Sequence, residues 1–107
     1  MTQVDPDWLR GPTRFFVIKY VVQEGNEEVE VGPTLVNTDD YLIFRDVLAT
    51  CRAVCIEVSY QVLEAYPIGT SELEAVMRFS RDYRQRGTIF DIRRRAIAAK
   101  ARATAAD

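Results

Sequence analysis

The segment from Thr38 to Tyr66 contains no glycine, proline or asparagine. Because these residues form most turns, a segment of this length without them predicts long regular structure. As a strand, residues 54–62 alternate between apolar side chains at even positions and cysteine or polar side chains at odd positions. As a helix, the segment places apolar or small residues along one heptad series: Tyr41, Phe44, Leu48, Cys51, Cys55, Val58, Val62 and Ala65.

The ends of this segment favour the helix. Asn37 or Thr38 can cap a helix, and Asp39 and Asp40 place negative charge at the positive end of its dipole. Residues 50–54 offer no turn residue at which a helix could give way to a strand. We therefore predict one continuous helix of about 27 residues, about 40 Å long at 1.5 Å per residue. The strand remains the alternative for residues 54–63.

An extended arm and a β-hairpin are predicted before this helix. Residues 1–13 contain two prolines and the single tryptophan, which is typical of an extended arm. Residues 14–23 are rich in β-branched and aromatic side chains, a polar turn follows at 24–27, and residues 28–36 form a second strand.

Within the second strand, Gly32 and Pro33 predict a bulge or an edge position, because proline cannot donate a ladder hydrogen bond. Glu28 and Glu30 are expected on one face of the hairpin. Val29 and Val31 are expected on the other, since side chains alternate along a strand.

Two further helices are predicted after a break at residues 66–69. Ser71 and Glu74 form a capping box for a helix that runs to Gln85 or Arg86, with Gly87 ending it. Its predicted inner face comprises Leu73, Val76, Met77, Ser80 and Tyr83. Thr88 and Asp91 repeat the capping pattern for a third helix, from Ile89 to about Ala103.

The expected fold class is therefore α+β: a β-hairpin, a long helix, a shorter antiparallel helix and a basic C-terminal helix. The expected organisation is an arm at residues 1–13, one α+β domain at 14–87 and a basic helix or tail at 88–107.

Charge divides the chain in two. Residues 1–74 carry five basic and thirteen acidic side chains, a net charge of −8, whereas residues 75–107 carry nine basic and three acidic ones, a net charge of +6. This split indicates either a charged partner or a basic third that folds back on the acidic remainder. The residues predicted to bind an acidic protein surface are Arg84, Arg86, Arg93, Arg94 and Arg95. Phosphates of a nucleic acid are the alternative ligand.

A second apolar stripe predicts self-association. On a continuous helix, Leu42, Ala49, Ile56 and Leu63 would lie about 100° around from the heptad series. We expect Leu42, Ile56 and Leu63 to form a homodimer interface.

The composition excludes several chemistries. Without histidine, nucleophile–histidine sites and zincin-type sites cannot be built. Cys51 and Cys55 are interpreted as small core residues, and Glu57 as a carboxylate that either points to a polar seam or pairs with arginine. We therefore predict no catalytic residues, no metal ligands and no cofactor. No uncharged apolar window of about 18 residues exists, so no membrane association and a cytoplasmic location are expected.

These observations predict a non-enzymatic protein-interaction module: an accessory subunit or small inhibitor that self-associates and engages a larger partner through a charge-polarised surface. The alternatives are a nucleic-acid-binding protein that uses the arginine-rich C-terminal helix and a structural subunit of a viral or phage-type assembly.

Overall fold

The computed structural model describes residues 13–105, with the side chains of residues 41, 42 and 105 outside that description. Its elements in chain order are β1 (Phe15–Glu24), β2 (Glu27–Asn37), a 3-10 turn (Thr38–Asp40), α1 (Tyr41–Ala53), β3 (Ile56–Ala65), α2 (Glu72–Asp82) and α3 (Ile89–Ala105). The strands form an antiparallel sheet in the order β2-β1-β3. The predicted α+β class is confirmed. The predicted arm lies outside the described residues except for Thr13.

Strands β1 and β2 form the predicted hairpin. The first residue of their two-residue turn, Gly25, has a φ of 60°, the positive value that a type II′ turn requires at this position. Val31 lies opposite the buried Tyr20, whereas Glu30 lies opposite Val21 on the other face. The predicted alternation of glutamate and valine along β2 is therefore confirmed.

The predicted interruption at Gly32 and Pro33 is a bulge. The register between β1 and β2 shifts between Ile18 and Tyr20, opposite these two residues. Gly32 has a φ of 113°, and a Cβ atom at this position would lie 2.8 Å from the carbonyl oxygen of Ile18. The bulge therefore requires glycine for both its backbone conformation and its close approach to β1.

The prediction of one continuous helix through residue 65 is wrong. Only two residues, Val54 and Cys55, separate α1 from β3. Cys55 makes the reversal in the left-handed conformation, with a φ of 60°. The backbone N–H groups of Val54 and Cys55 donate to the carbonyl oxygens of Cys51 and Arg52 at 3.1 and 3.2 Å. The chain thus turns here without glycine or proline.

Long-range pairing explains why residues 56–65 form a strand. An isolated two-stranded hairpin is marginal in water, and β3 gives β1 a second neighbour. In this ladder Tyr60 lies opposite Tyr20 and Val58 opposite Val22, so the apolar members of the period-two pattern share one face. This pairing outweighs the missing turn signal, because tertiary context overrides local preference.

One face of the sheet is covered by α1 and α3. Apolar side chains from alternate positions of β1 pack against both helices. Ile92 and Ala96 of α3 are fully buried in the same cluster as Val47 and Cys51 of α1. Residues 88–105 therefore share their core with the segment predicted as the domain, residues 14–87.

The opposite face of the sheet is covered by α2 at one end. A second cluster there comprises Phe15, Val17, Tyr66, Ala75 and Phe79. The shorter helix, predicted to run antiparallel to the long helix, does not share a layer with it, since α1 and α2 lie on opposite sheet faces. The physical reason is that β1 begins with apolar residues on both faces, so each face needs cover.

The helix α2 begins where the sequence predicts, because the backbone N–H of Glu74 donates to the hydroxyl of Ser71 at 3.2 Å. It ends at Asp82, earlier than the predicted Gln85 or Arg86. Tyr83 is extended, and its hydroxyl donates to Oε2 of Glu64 in β3 at 2.9 Å. The helix therefore ends at an extended residue whose side chain contacts β3.

Candidate interaction surface

The basic helix α3 is held to the acidic hairpin by ion pairs. Arg95 lies 3.4 Å from Oε2 of Glu24 and 3.6 Å from Oε1 of Glu27. Arg102 lies 3.0 Å from Oε1 of Glu24. The basic end of the chain thus folds back on acidic residues far away in sequence, which was the alternative interpretation of the charge split.

Two more of the predicted partner-binding arginines have carboxylate partners inside the chain. Arg93 lies 3.6 Å from Oδ2 of Asp46 in α1. Arg94 pairs with Asp91 one turn earlier in α3. Together with Arg95, three of the five predicted arginines are therefore engaged, although Arg93 and Arg94 remain exposed.

Asp91 also caps α3 as predicted. Its Oδ2 accepts the backbone N–H of Thr88 at 2.6 Å, and the backbone N–H of Phe90 donates to the Thr88 hydroxyl at 3.2 Å. The hydrogen bonds from Thr88 and Arg94 hold the pKa of Asp91 below its ordinary value. Asp91 therefore serves the start of α3 while it pairs with Arg94.

The remaining two predicted arginines, Arg84 and Arg86, extend from a fixed segment. The backbone N–H of Arg86 donates to the carbonyl oxygen of Pro33 at 3.1 Å, and its carbonyl oxygen accepts from Gly32 at 2.6 Å. Both arginine side chains are exposed, and neither has an ion pair with any other residue in the range 13–105. Their charge is therefore available to a partner.

The exposed face of α2 is the one that the sequence predicts to be buried. Leu73, Val76 and Met77 were predicted to face inward, but their exposed fractions are 71, 44 and 63%. The buried positions are Ala75 and Phe79, on the other side of the helix. We call Leu73, Val76 and Met77 the α2 outer stripe. The i, i+3, i+4 pattern identified an apolar face correctly but could not say which of two faces the sheet covers.

Basic residues follow the α2 outer stripe along the chain. Within α2, Arg78 pairs with Glu74 at 3.0 Å and Arg81 with Asp82 at 3.1 Å. The hydrogen bond from Arg81 lowers the pKa of Asp82. The exposed Arg84 comes two residues after the helix ends. The surface therefore combines an apolar stripe on the helix with basic residues beyond its C-terminal end.

The residues predicted for self-association do not form a common stripe. Ile56 is 2% exposed and packs in the main core, so it is not available to a partner. Leu63 lies in β3 and is 39% exposed. The side chain of Leu42 is outside the described residues. The stripe required a continuous helix, and it is lost because that helix ends at Ala53.

The two cysteines and Glu57, the remaining residues of chemical interest in the described part of the chain, do not form a common metal site. Cys51 is fully buried as predicted, and burial raises the pKa of its thiol. The prediction that Cys55 is a core residue is wrong: Cys55 is exposed, because it lies in the turn between α1 and β3. Glu57 is exposed rather than enclosed among apolar residues. Across the described part of the chain, no three histidine, cysteine or acidic side chains are grouped as a metal site would require. No helix in that part has the length and apolar character needed to cross a bilayer.

Comparison with known proteins gave no match to this chain among protein-family models, curated proteins or solved structures.

Proposed function

We propose that this chain is a non-enzymatic protein-interaction module whose α2 outer stripe docks on a larger protein partner. The observation that carries the proposal is the exposure of Leu73 and Met77, at 71 and 63%, on a helix already anchored by its other side. Full burial of one such side chain contributes about 1.5–3 kcal/mol. A partner that covers both side chains would therefore gain binding free energy from their removal from water. An accessory subunit or a small inhibitor would present such a surface.

The chemistry of the surface indicates the kind of partner. A helix with an exposed apolar stripe fits an apolar groove, and methionine adapts to grooves of irregular shape. Arg84 and Arg86 lie past the end of α2, and neither forms an ion pair with a carboxylate of the described residues. We therefore propose a partner whose groove has an acidic rim near the C-terminal end of the docked helix.

A protein partner is favoured over a nucleic acid. Phosphate binding depends on clustered free cations, and Arg93, Arg94 and Arg95 already lie beside carboxylates. The most exposed apolar side chains would also gain little from a phosphate backbone.

The experiment is affinity capture with the full chain as bait and three matched variants. The double variant Leu73→Asp, Met77→Asp should lose a partner that the wild type retains. Arg84→Gln, Arg86→Gln should weaken capture and reduce its sensitivity to salt. Ile97→Asp is the control, because Ile97 is an apolar residue of α3 with 54% exposure. Circular dichroism verifies that each variant remains folded.

Two outcomes would contradict the proposal. One is capture that the α2 variant and the Ile97 variant weaken equally. The other is salt-sensitive binding of labelled single- or double-stranded nucleic acid that Arg93→Gln, Arg94→Gln abolishes and the α2 variant leaves intact. The second outcome would assign the function to α3.

A further inference from the structure

A pocket opens on the α1 side of the sheet, the side opposite α2. All three strands, the 3-10 turn and α1 contribute to its lining. Three of the lining residues are aromatic, Tyr20, Phe44 and Tyr60, and one, Asp40, is acidic. The pocket is open to solvent and has a volume of about 20 Å³, roughly the space of one or two water-sized groups. It therefore admits the end of a ligand whose remainder stays outside.

The three aromatic rings form a corner. Tyr20 and Phe44 are stacked, with their ring centroids 5.7 Å apart and their planes at 25°. Tyr60 stands at 81° to Phe44, with the two centroids 5.3 Å apart. Tyr20 and Tyr60 lie directly opposite each other on β1 and β3, so the sheet register fixes both rings. Ring faces carry partial negative charge, and they attract a cation within about 6 Å of the ring centroid.

Asp40 adds a full negative charge beside the rings. Its Oδ2 accepts the backbone N–H of Asn37 at 3.0 Å, and its own backbone N–H donates to Oδ1 of Asn37 at 3.0 Å. These two hydrogen bonds hold the carboxylate in place. Within residues 13–105, no lysine or arginine forms an ion pair with Asp40, and none lines the pocket. No cation of the described chain therefore neutralises this charge.

The electrostatic field at the pocket opposes negative charge. Burial raises the pKa of the Tyr20 hydroxyl, and the charges of Asp40 and Tyr60 raise it further. Asp40 is thus close enough to Tyr20 for its charge to act on the hydroxyl. A field that disfavours an anion at this point favours a cation there.

We propose that this pocket binds a methylated ammonium group, with one or two of its methyl groups against the aromatic rings and its charge beside Asp40. An unmethylated ammonium is strongly hydrated and has three donors, which apolar walls do not satisfy. Methyl groups replace those donors, so the charge enters an aromatic pocket without unpaired N–H groups. Aromatic rings recognise quaternary ammonium ligands in this way.

The ligand is a free methylated amine or a methylated lysine side chain, since both present the same group. The pocket shares no residue with the α2 outer stripe and lies on the other side of the sheet. This site therefore stands or falls independently of the proposed function.

Nuclear magnetic resonance titration of the full chain with choline tests the site. The matched ligand is dimethylbutanol, which has the shape of choline without its charge. Choline should shift the backbone amide signals of Asn37 and Asp40 and bind at least about fivefold more tightly than dimethylbutanol. Equal binding of the two ligands would show an apolar pocket only and would overturn the proposal, as would choline that leaves both signals unmoved.

Two pairs of variants separate the charge from the rings. Asp40→Asn removes the carboxylate charge but retains an oxygen for the Asn37 N–H, and it should weaken choline binding at least about fivefold. Asp39→Asn, at the exposed neighbouring carboxylate, is the control and should change binding by less than about twofold. Equal effects of these two variants would contradict the site.

The second pair is at Tyr60. Tyr60→Leu removes one ring and should weaken choline binding, whereas Tyr60→Phe keeps the ring and should bind as the wild type does. Amide signals distant from the pocket verify that each variant is folded. Equal loss in both variants would contradict recognition by the ring face.

A peptide arm distinguishes the two sources of the ligand. A short peptide with one trimethylated lysine is compared with the same peptide unmethylated. Tighter binding of the methylated peptide than of choline would assign a modified protein as the ligand, and the reverse order would assign a free amine. A preference for the unmethylated peptide would overturn the proposal.

Discussion

Nη1 of Arg95 lies 3.4 Å from Oε2 of Glu24, which joins the middle of α3 to the end of β1 across 71 positions of sequence. Glu24 also accepts a hydrogen bond from Arg102, so its one carboxylate group contacts two guanidinium groups. Both Glu24 and Arg95 are partly buried, with side-chain exposures of 26 and 35%. The charge asymmetry of the sequence is thus partly satisfied within the fold.

A double-mutant cycle on this pair should detect a modest coupling. Arg95→Met and Glu24→Gln are each expected to destabilise the protein, with a coupling energy of about 0.5–1 kcal/mol, because the pair is only partly removed from solvent. Urea unfolding at low salt and at about 1 M salt measures it, and the coupling should shrink at high salt. A salt-independent coupling near zero would show that the Arg95–Glu24 ion pair does not help to hold α3 on the hairpin.

The bulge predicts unequal costs for two glycine substitutions. Gly32→Ala should destabilise the protein by more than about 2 kcal/mol, because the new Cβ would lie 2.8 Å from the Ile18 carbonyl oxygen at a φ of 113°. Gly69→Ala, at a φ of 91° with nothing within 4 Å, is the control for conformational strain alone. Thermal unfolding of both proteins measures the difference. Equal costs would mean that the close approach to β1 is unimportant.

The connection between α2 and α3 depends on Gln85. Its side chain donates to the hydroxyl of Thr34, which is 3% exposed. Gln85→Ala should therefore cost about 1–3 kcal/mol, the penalty for leaving a buried polar group unpaired. Gln61→Ala, in an exposed position of β3, should be nearly neutral. In the background Thr34→Val the cost of Gln85→Ala should fall, and its persistence there would contradict this explanation.

The capping carboxylate of α3 predicts a pH dependence. The pKa of Asp91 is lowered from its ordinary value of 3.8, so the folded state favours the charged form. Its stabilisation is complete above that value and is lost as the pH falls through it toward the lowered pKa of the folded state. Between about pH 6 and about pH 3, the wild type should therefore lose more stability than Asp91→Asn, by an amount that solvent screening at this partly exposed site keeps small. Parallel stability curves for the two proteins would contradict this role.

Local signals in the sequence predict the elements that local chemistry controls. The turn at Gly25, the bulge at Gly32 and the helix starts at Ser71 and Thr88 follow from backbone requirements or side-chain caps, and the structure confirms each of them. The α+β class follows from these elements together.

The errors have long-range causes. Residues 56–65 satisfy both a helical and a strand pattern. The pairing of β3 with β1, in which Tyr60 lies opposite Tyr20, decides between them. On α2 two faces carry apolar residues, and the position of the sheet decides that Phe79 is buried while Met77 is exposed. The α2 outer stripe could not be recognised from sequence, because an apolar stripe predicts burial until the packing is known.

Site-specific photo-crosslinking tests the central proposal most directly. A photoreactive amino acid at position 77 lies in the α2 outer stripe, and one at position 59, on the polar face of β3, is the control. With the full chain in its native cellular environment, position 77 should give a discrete cross-linked protein larger than the chain itself, which Leu73→Asp abolishes. Cross-linking that is equal at positions 77 and 59, or that Leu73→Asp leaves unchanged, would contradict a docking role for α2.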